Sequence, residues 1–110
     1  MVWLDIEGSS YWTTPAANRS FVEEILKAFK AHGYVVGLYV NHTQWVEIFG
    51  ADYKGCGGFP TWVAKYSTPV SKDCSTLSPF GPYATKDFNL RQYTGTTALC
   101  GGSVDQSAYC

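Results

Sequence analysis

Two carboxylic acids spaced two residues apart, Asp5 and Glu7, are the side chains in this sequence best suited to chemistry. They lie in Val2-Trp3-Leu4-Asp5-Ile6-Glu7, and along a strand successive side chains point to opposite faces. Val2, Leu4 and Ile6 then share an apolar face that suits a covering layer of helices. Trp3, Asp5 and Glu7 share the other. Like charges at strand spacing repel and burial penalises each ionised form, so one acid is pushed towards holding its proton while the other stays charged. A protonated carboxyl beside an ionised one is the arrangement used for general acid catalysis and cation stabilisation at a glycosidic bond. The plainer alternative is a structural pair neutralised by Arg or Lys. The backbone spacing of about 6.6 Å straddles the carboxyl separations of retaining and inverting glycosidases and selects neither.

Elements that must position these acids follow in order. Gly8 to Pro15 is rich in turn formers and carries Tyr11 and Trp12. It sits after the strand's C-terminal end, where barrel and open α/β folds place ligands. A helix is expected from near Asn18 or Ser20, with Phe21, Ile25, Ala28 and His32 as one apolar stripe, widened by Val22, Leu26 and Phe29. His32 reads as a C-terminal residue before the Gly33 cap. Tyr34 to Val40 is apolar on both faces, as a buried parallel strand should be. Thr43 is expected to cap a short helix, Gln44 to Phe49, stopped by Gly50. Thr61 to Tyr66 and Phe88 to Thr94 are two further strands, separated by a long Ser-, Pro- and Gly-rich connection. The order strand, helix, strand, helix implies right-handed crossovers and a parallel sheet. Helical patterns then stop, so the expected fold class is α/β: a partial, irregular β/α barrel with a strand-rich end.

On this layout Tyr39, Asn41, Trp62, Gln92 and Asp105 join Asp5 and Glu7 near the C-terminal ends of strands. Aromatic rings beside carboxylates suit a sugar, whose C–H faces pack on Trp and Tyr while its hydroxyls take directional bonds. Core packing is the competing reading for Tyr39 and Trp62, and a turn role for Asp105. No phosphate-binding loop, nucleophile elbow or Cys/His nucleophile signature is present.

Composition narrows the field further. The chain has 110 residues, four Trp, eight Tyr and a formal net charge of −1. No Lys/Arg cluster could neutralise phosphates, which argues against a nucleic-acid partner. No apolar run approaches the roughly 20 residues needed to cross a bilayer, so no membrane partner is expected. Neither a cofactor nor a metal is expected, because the cysteine spacing lacks a C-x-x-C and both His residues are distant from it. Cys56, Cys74, Cys100 and Cys110 allow three pairings. Local pairing, Cys56 with Cys74 and Cys100 with Cys110, would staple two loops of a secreted protein. The N-terminus shows no secretory signal, and the expectation that reconciles the two is a start lost from the chain. Sequons occur at Asn18-Arg19-Ser20 and Asn41-His42-Thr43; the second falls within the expected cleft, so Asn41 is read as structural or substrate-facing.

The motifs Trp3-Leu4-Asp5-Ile6-Glu7, Gly37-Leu38-Tyr39, Pro60-Thr61-Trp62-Val63-Ala64-Lys65-Tyr66, Arg91-Gln92-Tyr93-Thr94 and Val104-Asp105 occur in this order. In this the sequence resembles glycoside hydrolase family 25, the Chalaropsis-type lysozymes (N-acetylmuramidases), over essentially its whole length. The resemblance implies hydrolysis of the β-1,4 bond between N-acetylmuramic acid and N-acetylglucosamine in peptidoglycan, in an extracellular, lysosomal or digestive setting. It places the proton donor at Glu7. Asp5 would orient the substrate's acetamido group or stabilise the oxocarbenium charge, with Tyr39, Trp62, Gln92 and Asp105 lining the same cleft. Family members begin with about three more β/α units, one carrying a further Asp. Residues 1–110 are thus expected to form one domain matching the C-terminal part of a TIM-like barrel. An exposed barrel edge open to association and weakened activity would follow.

Overall fold

The computed structural model describes residues 1–110. Its backbone is one five-stranded sheet in the order β1-β2-β3-β4-β5, with strands β1 (Val2–Ile6), β2 (Val36–Val40), β3 (Thr61–Ala64), β4 (Leu90–Leu99) and β5 (Gly102–Tyr109). The first four run parallel, and β5 returns antiparallel to β4. Two helices, α1 (Pro15–Ala31) and α2 (His42–Phe49), supply the first two crossovers. The third, from β3 to β4, contains only one-turn helices at Cys74–Thr76 and Thr85–Asp87. This matches the expected strand-rich end of an incomplete barrel.

Alternation along the strands decides which face is dry. Ile6, Leu38, Val40 and Val63 are at most 3% exposed and pack with Val22 and Leu26 of α1 and Trp45, Ile48 and Phe49 of α2. Fully burying side chains of this size stabilises by about 1.5–3 kcal/mol each, so this face carries the fold. Tyr53, Phe80, Tyr83 and Phe88 extend the same core beneath the long connection.

Several local expectations need correction. Helix α1 begins earlier than Asn18, because Thr14 accepts from Ala17 N and Pro15 opens the first turn, where its missing N–H costs nothing. Its buried line runs through Asn18, Val22 and Leu26. Phe21, placed on the primary stripe by periodicity, is 55% exposed. Asn18 explains the rotation: its amide donates to Ile48 O (2.7 Å) and its oxygen accepts from Thr13 N (3.0 Å), locking that side against α2. In the folded chain Asn18 of the first sequon is thus buried. Helix α2 is capped by Asn41, not Thr43, with Gln44 N donating to Asn41 Oδ1 at 2.8 Å. Cysteine pairing is long-range: Cys74 bonds Cys110, while Cys56 and Cys100 are free thiols. Local pairing fails because Cys56 is buried in the core under Tyr83 and Cys100 sits at an exposed hairpin tip. The hairpin of β4 and β5 is itself longer than the segments legible in the sequence.

β1 is an edge strand, paired only to β2. Beside it Tyr34 and Val35 are 55% and 62% exposed.

Candidate active site

The sheet's second face carries the candidate residues. Asp5 and Tyr39 are paired in register, as are Tyr39 and Trp62, so three strands present one residue each at the same level. One step further along, Ala64 pairs with Gln92, and Gln92 with Ser107 on β5. Trp3 lies across Gly37, whose absent Cβ would fall 2.4 Å from the indole Cζ3. Only glycine permits that approach. The indole then meets Trp62 edge-on at 5.7 Å between ring centres, and Trp62 meets Tyr39 at 4.9 Å. The result is a half-buried aromatic wall of Trp3, Trp62 and Tyr39 beside the acids.

Asp5 and Glu7 lie close enough on this face to shift one another's titration, through charge and through a hydrogen bond that forms when one of them holds a proton. Burial raises both carboxyls above the ordinary carboxylate range. Asp5's charge and the shared hydrogen bond raise Glu7 further, whereas the same bond lowers Asp5. Of the two, Glu7 is thus the better suited to hold a proton, the asymmetry that separates an acid from its neighbour. No cation neutralises them. The single salt bridge of the structure joins Arg19 to Asp52 (3.0 Å) on the helical side. Arg91 is 1% exposed and turned away, bonded to Lys65 O (3.1 Å), Thr76 Oγ1 (3.0 Å), Ser67 Oγ (3.3 Å) and Asp73 O. The structural alternative for the acid pair, a clamp by Arg or Lys, is absent.

Asp105 stands on β5 at the far side of the same face. Its Oδ2 accepts from Gln92 Nε2 (3.0 Å) and its Oδ1 from Thr96 N (3.0 Å). That backbone N–H is aimed by a bulge in β4 between Thr94 and Thr97, where Thr96 adopts φ 54°. A β-branched residue in the left-handed region is held there only by its surroundings, a strain typical of functional sites. Tyr39 is pushed up to about 12, mainly by burial and then by Tyr66, Glu7, Asp5 and Asp105. Tyr66 is also raised by burial, with Asp105 and Glu7 contributing. Both phenols thus feel acids from both sides of the cleft. They stay protonated as hydrogen-bonding groups.

Of the seven candidates, Asp5, Glu7, Tyr39, Trp62, Gln92 and Asp105 converge on one face. Asn41 lies at the adjacent strand end, but its oxygen is committed to capping α2, the structural of its two readings. Reasoning from sequence passed over Trp3, Tyr66 and Ser107 as site residues. Tyr66 Oη bonds Gln92 Oε1 (3.1 Å), and Ser107 Oγ accepts from Trp62 Nε1 (3.1 Å). Alternation placed Trp3 with the acids and Tyr66 with Trp62; the signal for Ser107 exists only once β5 is paired. No group of three or more His, Cys, Asp or Glu side chains is arranged to hold a metal.

Comparison with known proteins gives the same frame. Residues 1–93 match the family model described as "Lysozyme-like protein 1". A probable GH family 25 lysozyme 2 from Dictyostelium discoideum is 38% identical over 109 residues, covering 99% of this chain and 49% of that protein. Lysozyme-like protein 5 of Caenorhabditis elegans is 37% identical, with 96% and 48% covered. The chain therefore spans about half the length of the curated relatives it matches. A crystal structure of the bacterial lysozyme from Streptomyces coelicolor superposes with a TM-score of 0.67 at 18% identity, covering 97% of this chain and 48% of that one. At that identity the likeness speaks for the fold, a partial TIM-like barrel. The family match and the fold agree, and the chain belongs to the lysozyme-like protein family.

Proposed function

We propose that this chain carries the acid-bearing part of a muramidase-type glycoside hydrolase, acting on the β-1,4 bond between N-acetylmuramic acid and N-acetylglucosamine in peptidoglycan. The observation that supports it most is the Glu7–Asp5 pair, unclamped by any cation, beside an aromatic wall. Glu7 is the proton donor to the glycosidic oxygen. Asp5 stays ionised and stabilises the developing oxocarbenium charge or orients the acetamido group. Tyr39, Trp62 and Asp105 bound the sugar on the other side, with Gln92 behind them. The free edge of β1, next to Tyr34 and Val35, is where further β/α structure would complete the cleft. Association there is expected to raise activity, since a drier cleft strengthens each electrostatic contribution. Action outside the cell or in a lysosomal or digestive compartment, in bacterial digestion or defence, accords with the Cys74–Cys110 disulfide.

The experiment is clearing of bacterial walls by the wild-type chain against Glu7→Gln. Loss of general acid catalysis is expected to slow clearing by about 10²–10⁴-fold. Equal turbidity loss in both would end the case for Glu7. A second reading, a non-catalytic glycan-binding fragment, is favoured by the exposure of both acids on an open face. Binding to insoluble walls that survives Glu7→Gln but not Trp62→Ala, without clearing by the wild type, would select it.

A further inference from the structure

Gln92 is 4% exposed and makes three side-chain hydrogen bonds, to partners from three other segments. Its Oε1 accepts from Tyr39 Oη at 2.6 Å and from Tyr66 Oη at 3.1 Å. Its Nε2 donates to Asp105 Oδ2 at 3.0 Å. These contacts leave one consistent arrangement of protons. A carboxylate accepts and cannot donate, so it must face the amide nitrogen. The amide oxygen then faces both phenols and, having no proton, obliges each to donate its own. A phenol has one proton, so what remains on Tyr39 and Tyr66 for anything in the cleft is lone pairs. Asp105 also accepts, with one oxygen already held by Thr96 N at 3.0 Å. The indole N–H of Trp62 is likewise consumed, by Ser107 Oγ at 3.1 Å. Gly95 makes the arrangement possible, because a Cβ there would sit 2.8 Å from Tyr66 Oη.

We propose that Gln92 is a positioning residue that fixes the hydrogen-bond polarity of this wall, so that Tyr39, Tyr66 and Asp105 offer acceptors and select ligand groups bearing O–H or N–H. The inference rests on the glycan reading above and narrows it: the sugar edge packed against this wall carries free hydroxyls or an acetamido N–H, and alkylated positions are rejected. Gln92 itself lies behind the phenols and acts through them.

Two measurements on the full chain test this. The first needs no ligand. In ¹⁵N–¹H spectra the Gln92 side-chain amide protons should exchange slowly and shift when Asp105 is replaced by Asn, an exposed change that leaves the core intact. Signals unmoved by Asp105→Asn would overturn the hub. The second follows binding of an N-acetylglucosamine tetrasaccharide and its O-methylated form by tryptophan fluorescence. Wild type should prefer the unmethylated form, and Gln92→Met, which frees both phenol protons, should reduce that preference. Tyr39→Phe should weaken binding about three- to tenfold in the wild type, the worth of one neutral hydrogen bond, and less than about twofold in Gln92→Met. Equal losses in the two backgrounds would overturn the positioning role. If Gln92→Met does not fold, Tyr66→Phe takes its place, with the same reduced preference expected and an unchanged preference counting against the proposal. Absence of any binding by the wild type, with the amide signals behaving as stated, would sink the glycan reading and the selectivity while leaving the proton arrangement standing.

Discussion

Removing the Cys74–Cys110 disulfide should cost this chain a large part of its stability. The bond joins residues separated by 36 in sequence, and closing a loop of that length in the unfolded chain corresponds to about 4 kcal/mol at 25 °C. For a domain of this size that is a fall in Tm of roughly 15 °C or more. The total stability of small domains is about 5–15 kcal/mol, so the loss would amount to anything from about a quarter to most of it. The tether also anchors the end of β5: Cys110 N donates to Asn89 O at 2.9 Å, and Asn89 Oδ1 accepts from Thr61 N at 2.9 Å. The assay is urea unfolding, followed by tryptophan fluorescence, of wild type and Cys74→Ser/Cys110→Ser, each with and without reductant. Wild type with reductant should match the double variant, and the double variant should ignore reductant. Cys100→Ser, at the exposed tip, should behave as wild type. A difference below about 1 kcal/mol between wild type and the double variant would refute the loop-entropy reasoning. It would mean that the unfolded chain is already constrained, or that the pairing is not the one described.

Activity should follow a bell in pH whose limbs both lie above the usual carboxylate range. The acidic limb reports neutralisation of Asp5 and the alkaline limb loss of the Glu7 proton, with macroscopic values that belong to the pair. Because both groups are raised on folding, they favour the folded chain when protonated, and that contribution is lost as pH rises through their folded pKa values. Melts from about pH 4 to about pH 8 should therefore show Glu7→Gln gaining on wild type towards the upper end; parallel curves would deny the coupling. Gly37→Ala should cost about 1–3 kcal/mol and weaken glycan binding. Its Cβ would meet Trp3 Cζ3 at 2.4 Å and the carbonyl of Pro60 at 2.8 Å, and that carbonyl already accepts from Leu38 N. A neutral melt with unchanged affinity would show that Trp3 is free to swing aside. Asn41→Ala should cost about 1 kcal/mol through the lost cap of α2, with Asn41→Asp restoring most of it and glycan affinity unchanged in both. A drop in affinity without a drop in Tm would return Asn41 to the substrate.

What the sequence determined by itself was everything that depends on local period. Alternation in Val2–Glu7 put Ile6 in the core and the two acids on the opposite face, and the double-sided apolar run of β2 marked a strand buried on both sides. These are backbone geometries, so neighbouring residues suffice to read them. Where two local signals competed, the wrong one was read. Thr43 and Asn41 are both good caps, and in the folded chain Asn41 takes the role, its Oδ1 accepting from Gln44 N. Phe21 is as apolar as Val22, and the Asn18–Ile48 hydrogen bond rotated α1 to bury Val22. Contacts between distant segments left no local trace. The bond from Cys74 to Cys110, the burial of Arg91 beneath the β3–β4 connection, and the junction of Tyr39, Tyr66 and Asp105 at Gln92 each join residues 13 or more positions apart. Their partners are selected by which buried polar groups must be satisfied once the sheet has formed, and only the folded chain poses that question.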